Sequence, residues 1–146
     1  MVDVQSFKDD RNVAIQKVGV KGLRYPITLL DKAEKYQHTT ATVNLFADLP
    51  HDFKGTHMSR FIEIFEEYRS DLSMPNVIKM LKKLRIELNA QTTYTDIHFP
   101  YFIKKTAPVS EQTSIMNYEC FYEASCSEKG HRFIAGVIVP VQTVCP

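Results

Sequence analysis

The sequence predicts an α+β domain, an antiparallel sheet with two helices packed on one face. Three observations carry this expectation. Apolar and polar residues alternate over 37–49 and again over 93–103, 114–126 and 133–145, the period of half-buried strands. Over 58–88 the period changes to that of amphipathic helices. Strands and helices are therefore segregated along the chain rather than alternating one by one, which separates α+β from α/β architecture.

Residues 1–12 are polar and read as an arm. Leu23 to Leu30 read as a strand, and the polar stretch Asp31 to Lys35 as a turn. In the next strand, Gln37 to Leu49, Ala41, Val43, Leu45 and Ala47 share one face while Thr40, Thr42, Asn44 and Asp48 share the other; Phe46 breaks the pattern. Met58, Phe61, Ile62, Phe65 and Tyr68 then follow helical spacing, with Ser59 or Thr56 as the expected cap. Ser70 to Pro75 interrupts, and Pro75 suits the opening turn of a second helix. Val77, Leu81, Leu84 and Leu88 mark its apolar stripe, and Lys79, Lys82, Lys83, Arg85 and Glu87 its solvated surface.

Thr95, Ile97, Phe99, Tyr101 and Ile103 begin the return of strand periodicity. Pro100 among them has no N–H to give a ladder, so it predicts an edge or a bulge. Lys104 to Ser110 read as a loop, and Met116, Tyr118, Cys120, Tyr122 and Ala124 as one face of the following strand. Ser127-Glu128-Lys129-Gly130 reads as a hairpin turn. Phe133, Ala135, Val137, Val139, Val141, Thr143 and Cys145 form the last alternating face, with Pro140 interrupting its ladder.

With 146 residues and 44% hydrophobic content, one domain with its own core is expected. The formal net charge of +1 predicts no nucleic-acid partner, although a local basic cluster still suits a phosphorylated small molecule. No apolar run has the length to cross a bilayer, and the polar, acid-bearing start does not read as a signal peptide. Cys120, Cys126 and Cys145 include no Cys-x-x-Cys pair, so reduced thiols in a cytoplasmic protein are expected, with Cys120 and Cys126 as small buried hydrophobes.

The segment Leu49 to Phe61 joins a strand to a helix and gathers His51, Asp52, Lys54, Thr56, His57, Ser59 and Arg60. Loops between rigid elements are where binding and catalytic groups collect. The same residues admit a structural reading, in which Thr56 and Ser59 cap the helix and Arg60 makes a surface ion pair. Cys145 likewise has two readings: a thiolate ligand, or an inert thiol buried on the face of Val139 and Val141.

Four blocks carry a resemblance to a known family. They are Asp3 to Ser6 with Val18-Gly19-Val20-Lys21; Phe53-Lys54-Gly55-Thr56-His57-Met58-Ser59-Arg60-Phe61; Phe99-Pro100-Tyr101-Phe102 with Lys104 to Ser110; and Val139 to Pro146. In this order they resemble the type IB GTP cyclohydrolases, metal-dependent enzymes of folate biosynthesis. The resemblance implies the tunnelling fold, in which sheet-and-two-helix units join edge to edge into barrels. Family members carry two such units and form homo-oligomers, and 1–146 resembles the first unit.

The implied reaction releases C8 of GTP as formate and yields 7,8-dihydroneopterin triphosphate. A divalent metal, zinc or manganese and alternatively iron, would lower the pKa of the attacking water. Cys145 matches the first cysteine of the family's Cys-Pro-Cys segment and is implied as a metal ligand and catalytic residue. His57 is implied in catalysis, by donating to phosphate or shuttling a proton. Arg60, Lys54 and Ser59 are expected to bind the triphosphate. The other ligands and the guanine-recognising group would come from the second half, so this chain alone is expected to be inactive. Two further readings remain: an archaeal-type iron-dependent cyclohydrolase with a cyclic phosphate product, and a non-catalytic assembly module.

Overall fold

The computed structural model describes residues 15–49 and 56–145; the expected arm over 1–12, His51 and Lys54 lie outside the described residues. The elements are β1 (Ile15–Asp31), β2 (Lys35–Leu49), α1 (Met58–Tyr68), α2 (Met74–Glu87), β3 (Thr92–Thr106), β4 (Thr113–Ser127) and β5 (Gly130–Ile138). The strands form one antiparallel sheet in the order β1-β2-β3-β4-β5. The α+β expectation holds.

The period-two pattern of β2 explains which face is covered. Ala41, Val43, Leu45 and Ala47 are all buried, and they join Ile27 and Leu29 of β1 and Ile97 and Phe99 of β3 in one core. Phe61, Ile64 and Phe65 of α1 and Val77, Met80, Leu81 and Leu84 of α2 close that core from above. The α1 stripe differs from expectation: Ile64 is buried with Phe61 and Phe65, Ile62 and Tyr68 are only half-buried, and Met58 at the first helical position is exposed. The two buried hydroxyls are satisfied. Thr93 Oγ1 donates to the Leu81 carbonyl at 2.8 Å and Thr95 Oγ1 to the Asn44 carbonyl at 2.9 Å. Burial of Cys120 and Cys126 matches their reading as small hydrophobes, and desolvation pushes the Cys120 thiol up.

Several boundaries move, each because a partner strand extends or removes a ladder. β1 begins earlier than expected, since Val18, Gly19 and Val20 pair with Ala47, Phe46 and Leu45 across two register shifts. Lys104 to Thr106 continue β3 rather than forming a loop, since they pair with Thr113 to Ile115 of β4. The last strand stops at Ile138, and Val139 to Cys145 carry no ladder despite their alternation.

Pro100 sits in an interior strand without a bulge, yet the physics behind the expectation survives. The β2–β3 ladder ends at Thr42↔His98, so beside Pro100 the side of β3 that faces β2 has no backbone ladder. Side chains replace it there. Thr39 Oγ1 donates to the Pro100 carbonyl at 3.0 Å, and the Gln37 amide pairs with both backbone groups of Phe102, accepting from its N–H at 2.7 Å and donating to its carbonyl at 2.9 Å.

Two glycines meet strict backbone demands in the Val18-Gly19-Val20-Lys21 region. A Cβ on Gly19 would lie 2.0 Å from the Leu45 carbonyl oxygen, and Gly22 has φ +72° with its N–H donating to Asn44 Oδ1 at 2.8 Å. Gly19→Ala is expected to cost about 3 kcal/mol through forced displacement of β2. Gly22→Ala is expected to cost about 1–2 kcal/mol through the left-handed backbone alone. Thermal melts of the two variants check the ranking, and equal melting temperatures would contradict it.

Candidate functional site

The first turn of α1 positions His57, Ser59 and Arg60 together. His57 is the N-cap residue, in extended conformation, and Arg60 N–H donates to its carbonyl at 3.2 Å. The expected side-chain cap is absent: no hydroxyl caps α1, and Ser59 lies inside the helix and is exposed. Neither Thr56 nor Ser59 stands at the N-cap position, where the side chain reaches the helix's first free N–H groups.

Arg60 follows its structural reading in this chain. Its Nη1 pairs with Oε2 of Glu87 in the last turn of α2, and both side chains are 41% exposed. A second bridge joins Lys83 Nζ to Glu67, and the glutamate holds the lysine's pKa above its usual value. The two bridges run in opposite sequence directions, so α1 and α2 are antiparallel and the start of α1 stands beside the end of α2.

Cys145 lies elsewhere. It is exposed, so its reading as a thiol buried with Val139 and Val141 is overturned; those valines are themselves exposed. Its strand ends at Ile138, which pairs with Glu119 far along β4 from Ser127. The start of α1 belongs to the opposite end of the sheet, because the α1 C-terminus is fixed to Thr28 near the β1–β2 turn. Thus His57, Ser59 and Arg60 are brought together, and Cys145 is not joined to them within the described residues. No group of three or more His, Cys, Asp or Glu among the described residues is placed to hold a metal ion. A catalytic zinc site needs about three protein ligands, and Cys145 offers one sulfur.

The third family block, around Tyr101 and Lys104, lines one side of a cleft of about 370 Å³ where β2 and β3 diverge. Asp31 is its hub. It accepts from the Ala33 and Glu34 N–H groups at 2.7 and 3.0 Å, from Gln37 Nε2 at 2.8 Å and from Tyr101 Oη at 3.1 Å. The Glu34 and Ala33 amides hold its carboxyl below the usual carboxylate value, and burial, with Asp31 beside it, pushes the Tyr101 phenol up. Lys104 pairs with Glu34, whereas Lys105 donates to the uncharged Tyr118 Oη. A depressed carboxyl stabilises the fold above its unfolded value of about 3.9, and this is lost as pH falls through the folded value. Wild type should therefore melt above Asp31→Asn at pH 7, and the gap should close in acid; a gap independent of pH would contradict this role.

Sequence reasoning placed Glu87 merely on a solvated face and left Gln37 unremarked. The available signal for Glu87 was a carboxylate at the C-terminal end of a helix, where the macrodipole disfavours it.

Sheet, helix pair and a cation-bearing helix start define an α+β unit whose described residues gather no cluster of metal-ligating side chains. The family model described as type I GTP cyclohydrolase folE2 matches residues 1–146, and the chain belongs to this family. It is 50% identical over 146 residues to the GTP cyclohydrolase FolE2 of Syntrophus aciditrophicus strain SB, covering 100% of this chain and 57% of that protein. It is 49% identical over 146 residues to the GTP cyclohydrolase FolE2 of Geotalea uraniireducens strain Rf4, covering 100% and 54%. For Pseudothermotoga lettingae the identity is 47% over 147 residues, covering 100% and 57%. The chain spans about half the length of the curated relatives it matches.

Proposed function

We propose that this chain is the amino-terminal tunnelling-fold unit of a cytoplasmic GTP cyclohydrolase that converts GTP to formate and 7,8-dihydroneopterin triphosphate. The observation that carries the reading is the family match along all of residues 1–146, with relatives named GTP cyclohydrolase FolE2 near 50% identity. In this reading Arg60, Ser59 and Lys54 bind the triphosphate, and the start of α1 adds the partial positive charge of its free N–H groups. His57 donates to phosphate or moves a proton beside it. The sulfur of Cys145 is one ligand of a divalent metal, zinc or manganese with iron as the alternative, and the remaining ligands come from outside the described residues. No helix of the described residues is long and apolar enough to cross a membrane.

Homo-oligomers form through sheet edges in this reading, and the two edges differ. On β1, Thr28 N–H donates to the Arg69 carbonyl at 2.9 Å and the Leu72 N–H to the Thr28 carbonyl at 3.2 Å, so the loop between the helices covers the edge there. Covering an edge in this way blocks strand addition. Pairing therefore uses β5, or β1 on the Ile15 side of that cover.

Incubating the protein at the full length of its relatives with GTP tests the function, read by formate release and product mass. A triphosphate pterin is the expected product. A cyclic phosphate would replace the reading with the iron-dependent alternative. No turnover by metal-loaded protein would favour an assembly module. Arg60→Ala should raise KM for GTP at least about tenfold, since charge-assisted bonds to phosphate contribute about 1.5–3 kcal/mol. A lower melting temperature with unchanged KM would return Arg60 to a structural ion pair.

A further inference from the structure

We propose that Glu87 is a built-in competitor for the anion-binding position at the start of α1, and that a polyphosphate must displace it from Arg60. The inference rests on the reading of Arg60 as a triphosphate ligand and adds what occupies Arg60 beforehand.

The placement of the two charges is unusual for helices. Arg60 is in the first turn of α1, which contains no acidic residue, and a cation there opposes the helix dipole. Glu87 is the last residue of α2, where a carboxylate opposes the dipole as well. Each charge is unfavourable on its own helix and favourable beside its neighbour's end, because the helices are antiparallel. The Glu87 carboxylate thus takes the place that an exogenous anion would take, against a guanidinium and beside the positive end of α1. The pair is 41% exposed on both sides and joins the ends of two helices, so solvent and dissolved anions reach both charges.

The chemistry favours exchange. One guanidinium nitrogen, Nη1, meets Glu87, and a phosphate brings more charge and more acceptor oxygens to the same planar fork. A ligand with several phosphates competes better with a single carboxylate than one with a single phosphate. Glu87 therefore weakens binding of every anion at Arg60, and an anion of higher intrinsic affinity is better able to displace it.

The test uses the full-length metal-loaded enzyme with inorganic triphosphate and inorganic phosphate as separate competitors of GTP turnover. In Glu87→Gln, which keeps the shape and removes the charge, the inhibition constant for triphosphate should fall about two- to fivefold, the range set by an exposed ion pair. The constant for phosphate should fall by a similar factor, because the same bridge must open for either anion. Glu87→Ala should act in the same direction. Unchanged or higher inhibition constants in both variants, whether or not the melting temperature drops, would overturn the proposal and leave a structural bridge. Arg60→Ala separates the two layers. If it leaves triphosphate inhibition unaltered, the triphosphate reading of Arg60 fails; if it weakens inhibition while the Glu87 variants do nothing, the failure belongs to the Glu87 proposal alone.

Discussion

In the full-length enzyme, Cys145→Ala is expected to abolish GTP turnover and to lower metal affinity by more than about 100-fold. Loss of an outer-shell partner already weakens metal binding about 10–100-fold, and removal of a direct ligand should exceed that. The structure makes the experiment readable. Cys145 is exposed and lies beyond the last ladder of β5, so its truncation creates no cavity in the core. The melting temperature of the metal-free protein should be unchanged, and the effect should appear in metal content and rate. Cys120→Ala is the counterpart: its thiol is buried within the core cluster, so it should cost stability and leave bound metal intact. Full metal content and normal turnover in Cys145→Ala would remove this sulfur from the metal and take the strongest site assignment with it.

Phe65→Ala is expected to destabilise the fold by about 3–5 kcal/mol, the range for a fully buried aromatic ring. Phe65 has no exposed surface and meets Tyr25 of β1 edge to face, with ring centroids 5.6 Å apart. Together with Phe61 and Ile64 it fastens α1 to the core over the sheet. A domain of this size should lose roughly 10 °C or more of melting temperature. Ile62→Ala on the same helix is the comparison, since Ile62 is only half-buried and should cost far less. A Phe65→Ala loss no larger than that of Ile62→Ala would mean that α1 is not anchored through this ring.

Much of the fold was legible residue by residue. The alternation of Ala41, Val43, Leu45 and Ala47 determined the covered face of β2 before any partner was known, since side chains of a strand point to opposite faces in turn. The helical spacing of Val77, Leu81 and Leu84 did the same for α2, and Ser127 to Gly130 closed the β4–β5 hairpin where its residue types suggested. Where local pattern misled, the missing information was a partner. Val139, Val141, Thr143 and Cys145 alternate as well as any strand, yet alternation makes a strand only when another strand supplies its hydrogen bonds. Lys104 to Thr106 look polar enough for a loop and are strand because Thr113 to Ile115 stand opposite.

The candidate site divides along the same line. His57, Ser59 and Arg60 are neighbours in sequence, so their grouping at the start of α1 was readable from spacing once the helix was placed. The Arg60–Glu87 bridge, the Gln37 amide standing in for a strand beside Phe102, and the separation of Cys145 from the start of α1 were not. Each depends on how elements distant in sequence meet. The sequence by itself determined which face of β2 and of α2 is apolar and which family this chain belongs to, because periodicity and motif are properties of contiguous residues. Only the tertiary structure decided which charges are already paired and which site residues stand together, because those follow from the antiparallel helix pair and the strand register.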